Sequence, residues 1–203
     1  MQSQPTRCWK TQNPLYIKYH DEEWGIPVHN DQKLFELLTL EGFQAGLTWE
    51  LILNRRETLK KAFANFNPTT IANYTSTDVE RILNIHNMIK NKAKIASIIN
   101  NAEKFQQIQN EYGSFNKFIW QFVKNKPIDH ALKTMQDMPC QTNESQAMSR
   151  ELKKRGFKFV GPIICYAYMQ AIGMVNDHLT FCFRYKQIQE NQKTEHHLPE
   201  RAS

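Results

Sequence analysis

Residues 34–49 read LFELLTLEGFQAGLTW and contain the pattern on which the remaining interpretation depends. Leu34, Leu37 and Leu38 have the i, i+3, i+4 spacing that places side chains on one face of a helix. The next position on that apolar face is Glu41, so the pattern directs a carboxylate toward the protein interior. Because burying an ionised carboxylate without donors costs free energy, an inward glutamate of this kind points to function. The pattern is equally consistent with a structural Glu41 that pairs with a core arginine or tyrosine, or that reaches solvent at the helix end.

The length and composition predict a globular protein with a substantial core. The 203 residues suffice for one domain or two small lobes, and 40% hydrophobic and 11% aromatic residues exclude a disordered chain. The formal charge of +6 favours a polyanionic partner. A modest positive charge is also common in proteins that bind nothing acidic, so the charge alone does not identify the partner.

The cysteines and the N-terminus predict a cytoplasmic location. The four cysteines form no CxxC pair, and the N-terminal residues MQSQPTRCWK lack the apolar segment of a secretory signal. Free thiols in a reducing cytoplasm are therefore expected rather than disulfides. The uncharged run over residues 159–176 contains glycine, proline and polar residues, which favours a buried core helix over a membrane span.

No segment alternates apolar and polar residues with a period of two, so we predict an all-α fold. Residues 1–185 are expected to form a single helical domain. The polar, aperiodic residues 186–203 are expected to form a disordered tail, in which His196 and His197 are solvated rather than metal ligands. The predicted helix caps are Asn30 or Asp31, Thr48, Thr77 in a capping box, Ser114, and Thr142 or Asn143.

Residues 150–172 are predicted to form a helix, a tight hairpin and a second helix. Gly156 ends the first helix, and Gly161 precedes a proline at the first position of the second, where its missing N–H costs nothing. The hairpin N–H groups and the following helix N-terminus would bind an anion such as a DNA phosphate. An ordinary helix corner with a solvated basic face is the alternative. The predicted phosphate-binding residues are Lys158, Phe159, Val160 and Gly161, with counter-charge from Lys153, Lys154, Arg155 and Lys158.

A hairpin that holds the DNA backbone reads no base sequence, which suits an enzyme that extrudes one nucleotide from the duplex. Such an enzyme needs aromatic faces to hold the extruded base and a polar group to test its edge. The aromatic candidates are Trp9, Tyr16, Tyr19 and Trp49, and the polar candidate is Glu41. The aromatic residues of the N-terminal segment could instead only attach that segment to the core.

Five segments of the chain carry a family resemblance. They are RCW (7–9), NPLYIKYHDEEWG (13–25), KLFELLTLEGFQAGLTW (33–49), LKKRGFKFVG (152–161) and VNDHLTFC (175–182). Over residues 7–182 the chain resembles the DNA-3-methyladenine glycosylase I family of bacterial base-excision repair enzymes, within the helix-hairpin-helix superfamily. The resemblance implies a two-lobed helical helix-hairpin-helix fold that acts on double-stranded alkylated DNA.

The resemblance also implies an activity. The family hydrolyses the N-glycosidic bond of N3-methyladenine, a cationic base that is already a good leaving group and needs little acid catalysis. By resemblance, Glu41 is the catalytic pocket glutamate and accepts hydrogen bonds from the amino edge of the base. Tyr19 is a second polar contact to the base, and Trp49 stacks on it. Tyr16 and Trp9 match further pocket aromatics.

Two departures from the wider superfamily predict a monofunctional glycosylase without lyase activity. Asn176 stands where superfamily enzymes usually carry an aspartate, and an asparagine cannot act as a general base. Asparagine at this position matches the particular family and suits a labile substrate. Pro162 and Ile163 stand where the strand-cutting members place a Schiff-base lysine, just after the hairpin glycine.

The resemblance further implies one structural zinc ion that joins the N-terminal and C-terminal segments. Without the resemblance, its four scattered ligands would be interpreted as buried thiols and histidines. The family's Cys-x-Trp occurs here as Cys8-Trp9, one residue shorter, which raises the question whether Trp9 reaches the base. Cys140 and Cys165 lack such partners and are expected in the core. The implied zinc ligands are Cys8, His20, His178 and Cys182.

Two other functions fit parts of the sequence. A non-catalytic, zinc-stabilised DNA-binding module needs no base pocket, so the presence of Glu41, Tyr19 and Trp49 argues against it. A helical scaffold protein would need Glu41 only as a paired core carboxylate. A monomeric enzyme that removes 3-methyladenine from DNA is the favoured hypothesis.

Overall fold

The computed structural model describes residues 5–195, and the predicted all-α class is confirmed. Two short strands, which the sequence did not indicate, pair in parallel with Ile128 opposite Val175 and Asp129 opposite Asn176. The helices are α1 Pro14–Glu22, α2 Asp31–Gln44, α3 Trp49–Ala62, α4 Pro68–Ala72, α5 Ser76–Leu83, α6 Lys92–Tyr112, α7 Phe115–Trp120, α8 Asn143–Lys154, α9 Pro162–Ala171 and α10 Phe183–Glu195. The strands are β1 Ile128–Asp129 and β2 Val175–Asn176, and short 3₁₀ turns occupy Ala64–Phe66, Gln121–Val123 and Met135–Asp137.

Helix α2 is the central element of the fold. Its buried residues surround most of its circumference, so it packs against neighbours on several sides, with contacts to α3, α6, α7 and α9. The Tyr168 hydroxyl of α9 donates a hydrogen bond to the Leu34 carbonyl at 3.1 Å. These contacts hold α2 as a rigid support for the carboxylate near its C-terminus. The buried residues of α2 are Leu34, Phe35, Leu37, Leu38, Thr39, Leu40, Glu41 and Phe43.

Most helix starts lie where the sequence places them. Asn30 caps α2 by accepting a hydrogen bond from the Lys33 N–H at 3.0 Å, and Thr48 caps α3 in the same way. Ser114 and Thr142 cap α7 and α8. The capping box assigned to Thr77 is wrong by two residues, because the reciprocal pair is formed by Thr75 and Asp78.

The prediction of a disordered tail is wrong for residues 186–195, because they continue the helix that begins at Phe183. Tyr185 and Ile188, spaced three residues apart, are both buried, and together with the half-buried Phe183 they attach a mainly polar helix to the domain. Residues 196–203, including His196 and His197, lie outside the described residues. The core assignment of Cys140 is also wrong, because that thiol is exposed, whereas Cys165 is buried.

The uncharged run over residues 159–176 is divided between the hairpin, the ten-residue helix α9, a turn at Gly173 and strand β2. Gly173 has a φ of +71°, and a Cβ there would lie 2.3 Å from the backbone of Ile26. A side chain is therefore excluded at this turn. Within residues 5–195, no helix combines the length and apolar character that crossing a bilayer requires.

Candidate active site and metal cluster

A cavity of about 200 Å³ lies beside the C-terminal half of α2. An apolar cavity of roughly 150 Å³ can hold benzene, so this one has room for a somewhat larger ring system. Larger clefts of about 510 and 420 Å³ lie elsewhere on the described surface, and none of their lining residues carries a buried, unpartnered polar atom. A third cleft, of about 500 Å³, has one such residue, Trp9, which it shares with the cavity beside α2. The cavity beside α2 is lined by Trp9, Tyr16, Tyr19, Trp24, Glu41, Gln44, Trp49, Met135, Met138, Ala167 and Gln170.

Glu41 is buried in the wall of this cavity, with 2% of its surface exposed. Its Oε2 atom has no hydrogen-bond partner among the described residues. Burial raises the pKa of Glu41 from 4.5 to about 8, and no nearby cation opposes the shift. Without a ligand, the carboxyl group therefore holds a proton at neutral pH.

The structure contradicts the alternative in which Glu41 pairs with a core arginine. The part-buried guanidinium near this region belongs to Arg56, and it binds Glu23 and Glu36 with N–O distances of 2.7–2.8 Å. Arg56, Glu23 and Glu36 therefore pair with one another, and Glu41 has no ion-pair partner among the described residues. The helical scaffold hypothesis, which needs a paired Glu41, loses its structural basis.

The predicted aromatic residues meet in the cavity wall. Trp49 and the buried Tyr19 have ring centroids 5.1 Å apart, and Trp9 lies 5.5 Å from Tyr16. Burial, and then the Glu41 charge, raise the pKa of Tyr19 well above its ordinary value, so its hydroxyl remains a donor. Despite the shorter Cys8-Trp9 spacing, Trp9 lies in the wall.

Unpartnered polar atoms concentrate at this cavity. Of the four buried side-chain polar atoms without a partner among the described residues, three belong to its lining. They are Glu41 Oε2 and the indole nitrogens of Trp9 and Trp49. A buried polar group left unpaired costs roughly 1–3 kcal/mol, so their concentration indicates a site whose partner is a ligand.

Several lining residues were not predicted from the sequence. Gln44 lies one turn after Glu41 in the quoted stretch, and Gln170 is a polar residue within the long uncharged run. Those two signals could have suggested them. Met135 and Met138 come from the connector before α8, about ninety residues from α2, and no local pattern indicates that they reach the cavity.

The four predicted metal ligands form one buried cluster, with their ligand atoms all within 4.8 Å of one another. The His178 Nδ1 atom lies 3.4 Å from Cys8 Sγ and 3.6 Å from Cys182 Sγ, which is 3.5 Å from His20 Nε2. Tetrahedral zinc with bonds of about 2.3 Å to sulfur and about 2.0 Å to nitrogen separates such atoms by about 3.5 Å. The donor set and its spacing therefore fit zinc.

Outer hydrogen bonds orient the two histidines. His20 Nδ1 lies 2.7 Å from an Asp21 carboxylate oxygen, and Arg7 holds that carboxylate with bonds of 2.7 and 2.8 Å. His178 Nε2 lies 3.0 Å from the Trp24 carbonyl. With these nitrogens occupied, the other ring nitrogens face the two sulfur atoms, as metal-ligating histidines require.

The hairpin between α8 and α9 turns its carbonyl groups into the protein. Side chains of α6 and α8 satisfy them: Asn100 donates to Gly156, Asn101 to Lys158 and Ser149 to Val160, at 2.6–3.0 Å. Asn101 also accepts from the Lys158 N–H at 2.8 Å. The N–H groups of Phe159, Val160 and Gly161 donate to no other described residue. Phe159 lies exposed at the tip with a φ of +55°.

The charges around the hairpin differ from the prediction at one position. Arg155 binds Glu111 and Glu151 at 2.6 and 2.8 Å, so it is occupied within the protein and does not supply free counter-charge. Lys153, Lys154 and Lys158 are exposed.

Lys94 of α6 connects the hairpin to the cavity helix. Its buried amine donates to the Phe43 and Ala45 carbonyls at the end of α2, at 2.8 and 2.5 Å. The same amine lies 6.0 Å from the centroid of the Phe159 ring. A Cβ on Gly42 would lie 3.7 Å from Phe159 Cβ, so the hairpin tip packs directly beside the residue that follows Glu41.

Comparison with known proteins agrees with the motifs. A sequence model of the methyladenine glycosylase family matches residues 9–185. The chain belongs to this family. The resemblance inferred from the motifs is therefore confirmed.

Relatives of known name and structure lie within the same family. DNA-3-methyladenine glycosylase 1 of Escherichia coli K12 is 45% identical over 88% of this chain and 96% of its own length, and the Haemophilus influenzae Rd enzyme is 43% identical over 87% and 96%. A crystal structure of a 3-methyladenine DNA glycosylase I has a TM-score of 0.85 at 46% identity, covering 88% of this chain and 98% of its own. A Staphylococcus aureus structure on 3-methyladenine recognition has a TM-score of 0.83 at 36% identity, covering 85% and 92%.

The pKa of Glu41 predicts how stability depends on pH. Because folding raises this pKa from 4.5 to about 8, the folded chain keeps a proton that the unfolded chain releases over this interval. The contribution of Glu41 to the free energy of unfolding should therefore fall by about 2 kcal/mol between about pH 5 and pH 7. Glu41→Gln, which cannot ionise, should lose this decline. Urea unfolding of both proteins across this range measures it, and a constant difference between them would contradict the assignment.

Proposed function

We propose that this protein is a DNA glycosylase that hydrolyses the N-glycosidic bond of 3-methyladenine in alkylated DNA. The observation that carries the proposal is the unpaired, buried Glu41 in an aromatic cavity with room for a base. The named relatives, which are 3-methyladenine DNA glycosylases, support the same substrate.

The charge of the substrate explains why an unpaired acid suits this cavity. Alkylation at N3 makes adenine cationic, and a cation beside Glu41 favours the carboxylate, which lowers its raised pKa. Charge attraction is strong in a water-poor cavity, so binding of the cation and ionisation of Glu41 favour each other. An undamaged, neutral base supplies no such attraction. The cavity therefore discriminates by charge before it discriminates by shape.

The aromatic walls would hold the extruded base, with Trp49 against its face and the Tyr19 hydroxyl as a second polar contact to the base. Trp9 and Tyr16, whose ring centroids lie 5.5 Å apart, also line the cavity. Their rings supply stacking contacts that accept any planar base, while Glu41 selects the positive charge. Glu41, at the amino edge of the base, favours the cationic form in which the base is a good leaving group.

No aspartate assists from the position used in the wider superfamily. Asn176 is fully buried, and its amide binds the Tyr185 carbonyl and the His178 N–H, away from the cavity lining. The cationic base leaves readily, so the reaction requires less help from a general base. Since no lysine is among the described residues that line the cavity, we expect hydrolysis alone, without strand cleavage.

The hairpin is proposed to bind a phosphate of double-stranded DNA as part of a helix-hairpin-helix. Side chains of α6 and α8 satisfy the carbonyls of Gly156, Lys158 and Val160, and Asn101 also accepts from the Lys158 N–H. The N–H groups of Phe159, Val160 and Gly161 are therefore the backbone donors left without a described acceptor, and Lys158 contributes its side-chain charge. Grouped N–H dipoles at a helix N-terminus attract an anion, and the exposed lysines add charge. A monomer acting in the cytoplasm remains the expectation from the sequence.

The buried Cys8, His20, His178 and Cys182 are proposed to hold one structural zinc ion. Four protein ligands leave no open position for water or substrate, so the ion would stabilise the fold rather than take part in hydrolysis. It would hold Trp9, which follows Cys8 and packs against His20 at 4.7 Å, in the cavity wall.

Replacing the buried acid tests the proposed reaction. Glu41→Gln keeps the shape but removes the charge, and we expect 3-methyladenine release from methylated DNA to fall by about 100-fold or more, while DNA binding persists. Glu57→Gln, an exposed glutamate on α3, is the matched control and should retain activity. No release by either variant or by the wild type, with DNA still bound, would favour the non-catalytic zinc-stabilised module instead.

The two hydrogen bonds between Asn101 and the Lys158 backbone predict a second effect. Asn101→Ala removes both bonds to the Lys158 backbone, so the hairpin should lose its fixed shape and duplex DNA should bind about tenfold more weakly. Asn110→Ala, at an exposed position of the same helix, is the control. Titration of a fluorescent duplex at several salt concentrations measures the DNA affinity of both variants. Equal affinities would refute the proposed role of the Asn101 hydrogen bonds.

Metal removal tests the zinc proposal. A closed four-ligand zinc site contributes directly to folding, so dialysis against a strong chelator should lower the melting temperature, and added Zn²⁺ should restore it. Cys182→Ser should reduce the zinc content measured by atomic absorption, whereas the exposed Cys140→Ser should not. Purified protein without zinc, and with the same melting temperature after chelation, would show that the cluster is made of free side chains.

A further inference from the structure

Gln170 is a cavity residue whose orientation is fixed from outside the cavity. It lies near the C-terminus of α9 and lines the same cavity as Glu41. Its Nε2 atom donates to an Asp177 carboxylate oxygen at 2.7 Å and lies 3.3 Å from the Met138 sulfur. Both protons of the amide nitrogen therefore have acceptors.

The chemistry of Asp177 decides which way the amide faces. Asp177 is buried, and it also accepts from the Tyr166 hydroxyl at 2.5 Å and lies 2.6 Å from His130 Nδ1. A carboxylate surrounded by donors offers only acceptor atoms. The amide of Gln170 must therefore turn its nitrogen toward Asp177, and its oxygen is the polar atom that remains.

That oxygen has no hydrogen-bond partner among the described residues, and it belongs to a side chain of the cavity wall. Gln44, the other amide of the cavity, differs because its side chain makes no hydrogen bond to a described residue, so it can rotate to donate or accept. Gln170 cannot reverse without placing its oxygen against the Asp177 carboxylate.

We propose that Gln170 is a specificity-determining residue, which presents only an acceptor and so selects a purine with an amino group over one with a keto group at the same position. This inference rests on the proposed function and goes beyond it. Adenine carries an amino group at C6 and guanine a keto oxygen. Together, Glu41 and Gln170 offer two acceptors to the two amino hydrogens of 3-methyladenine. The keto oxygen of 3-methylguanine would instead face the amide oxygen of Gln170, which is also an acceptor and which the bond to Asp177 prevents from rotating away. Asp177 acts as the positioning residue behind Gln170.

The test compares release of the two methylated bases from one DNA sample. DNA treated with methylnitrosourea contains both 3-methyladenine and 3-methylguanine, and chromatography measures the release of each. Gln170→Met should lower 3-methyladenine release about tenfold without lowering 3-methylguanine release, so the ratio of the two rates should fall about tenfold. Asp177→Asn keeps Gln170 but permits its amide to reverse, and the ratio should fall there too. Gln44→Met, the comparison variant, should change both bases by a similar factor.

An equal loss for both bases in Gln170→Met would mean that Gln170 acts only through structure, and it would overturn the inference. Titration of the free bases, followed by tryptophan fluorescence, separates this failure from failure of the proposed function. If the wild type releases neither base but binds 3-methyladenine more tightly than 3-methylguanine, and Gln170→Met loses that preference, the specificity role stands without the reaction. If the free bases bind equally well to the wild type, the inference is wrong even where 3-methyladenine is released.

Discussion

The structure depends on one carboxyl group kept in the interior without a partner. Leaving Glu41 unpaired disfavours its charged form, and the fold tolerates this because α2 is packed on several sides and cannot turn the side chain outward. Neighbouring acids show the contrast, since Glu23 and Glu36 are both satisfied by Arg56. The same burial that disfavours the negative charge in the free protein strengthens its attraction for a positive ligand. The burial of Glu41 without a partner therefore both destabilises its charge in the free protein and favours a positively charged ligand in the cavity.

The second requirement is that the cavity wall keep its shape. Trp9 belongs to an N-terminal segment without regular structure, yet it contacts His20 and Trp24 at centroid distances of 4.7 and 4.6 Å. The cluster of two cysteines and two histidines connects that segment to α1 and to the chain just before α10. Residues far apart in sequence thus fix an aromatic wall that local structure alone would leave loose. A polar network from Tyr166 through Asp177 to Gln170, another lining residue, has the same effect on α9.

Sequence reasoning was reliable where the spacing of apolar residues within one helix, or a single capping residue, determines the local structure. The 3.6-residue spacing of Leu34, Leu37 and Leu38 placed Glu41 inside, and Asn30 and Thr48 cap their helices as expected. It failed where distant residues decide: Arg155 is neutralised by Glu111, 44 positions away, and Met135 reaches a cavity built largely on the first fifty residues. The helix over residues 183–195 was missed because, among residues 183–190, only Tyr185 and Ile188 are buried, too few for a periodic pattern. The family resemblance supplied what no local rule could, namely that four scattered cysteines and histidines converge.

The amine of Lys94 has a geometric consequence for any bound DNA strand. Because it binds the carbonyls at the end of α2 and lies 6.0 Å from the centroid of the Phe159 ring, direct contacts fix the distance between the hairpin tip and the end of the cavity helix. If the hairpin binds a DNA phosphate as proposed, the strand held there can place in the cavity only the nucleotide at one set displacement from that phosphate. The flanking bases do not affect this distance, so the proposed enzyme is expected to reach lesions in every sequence context.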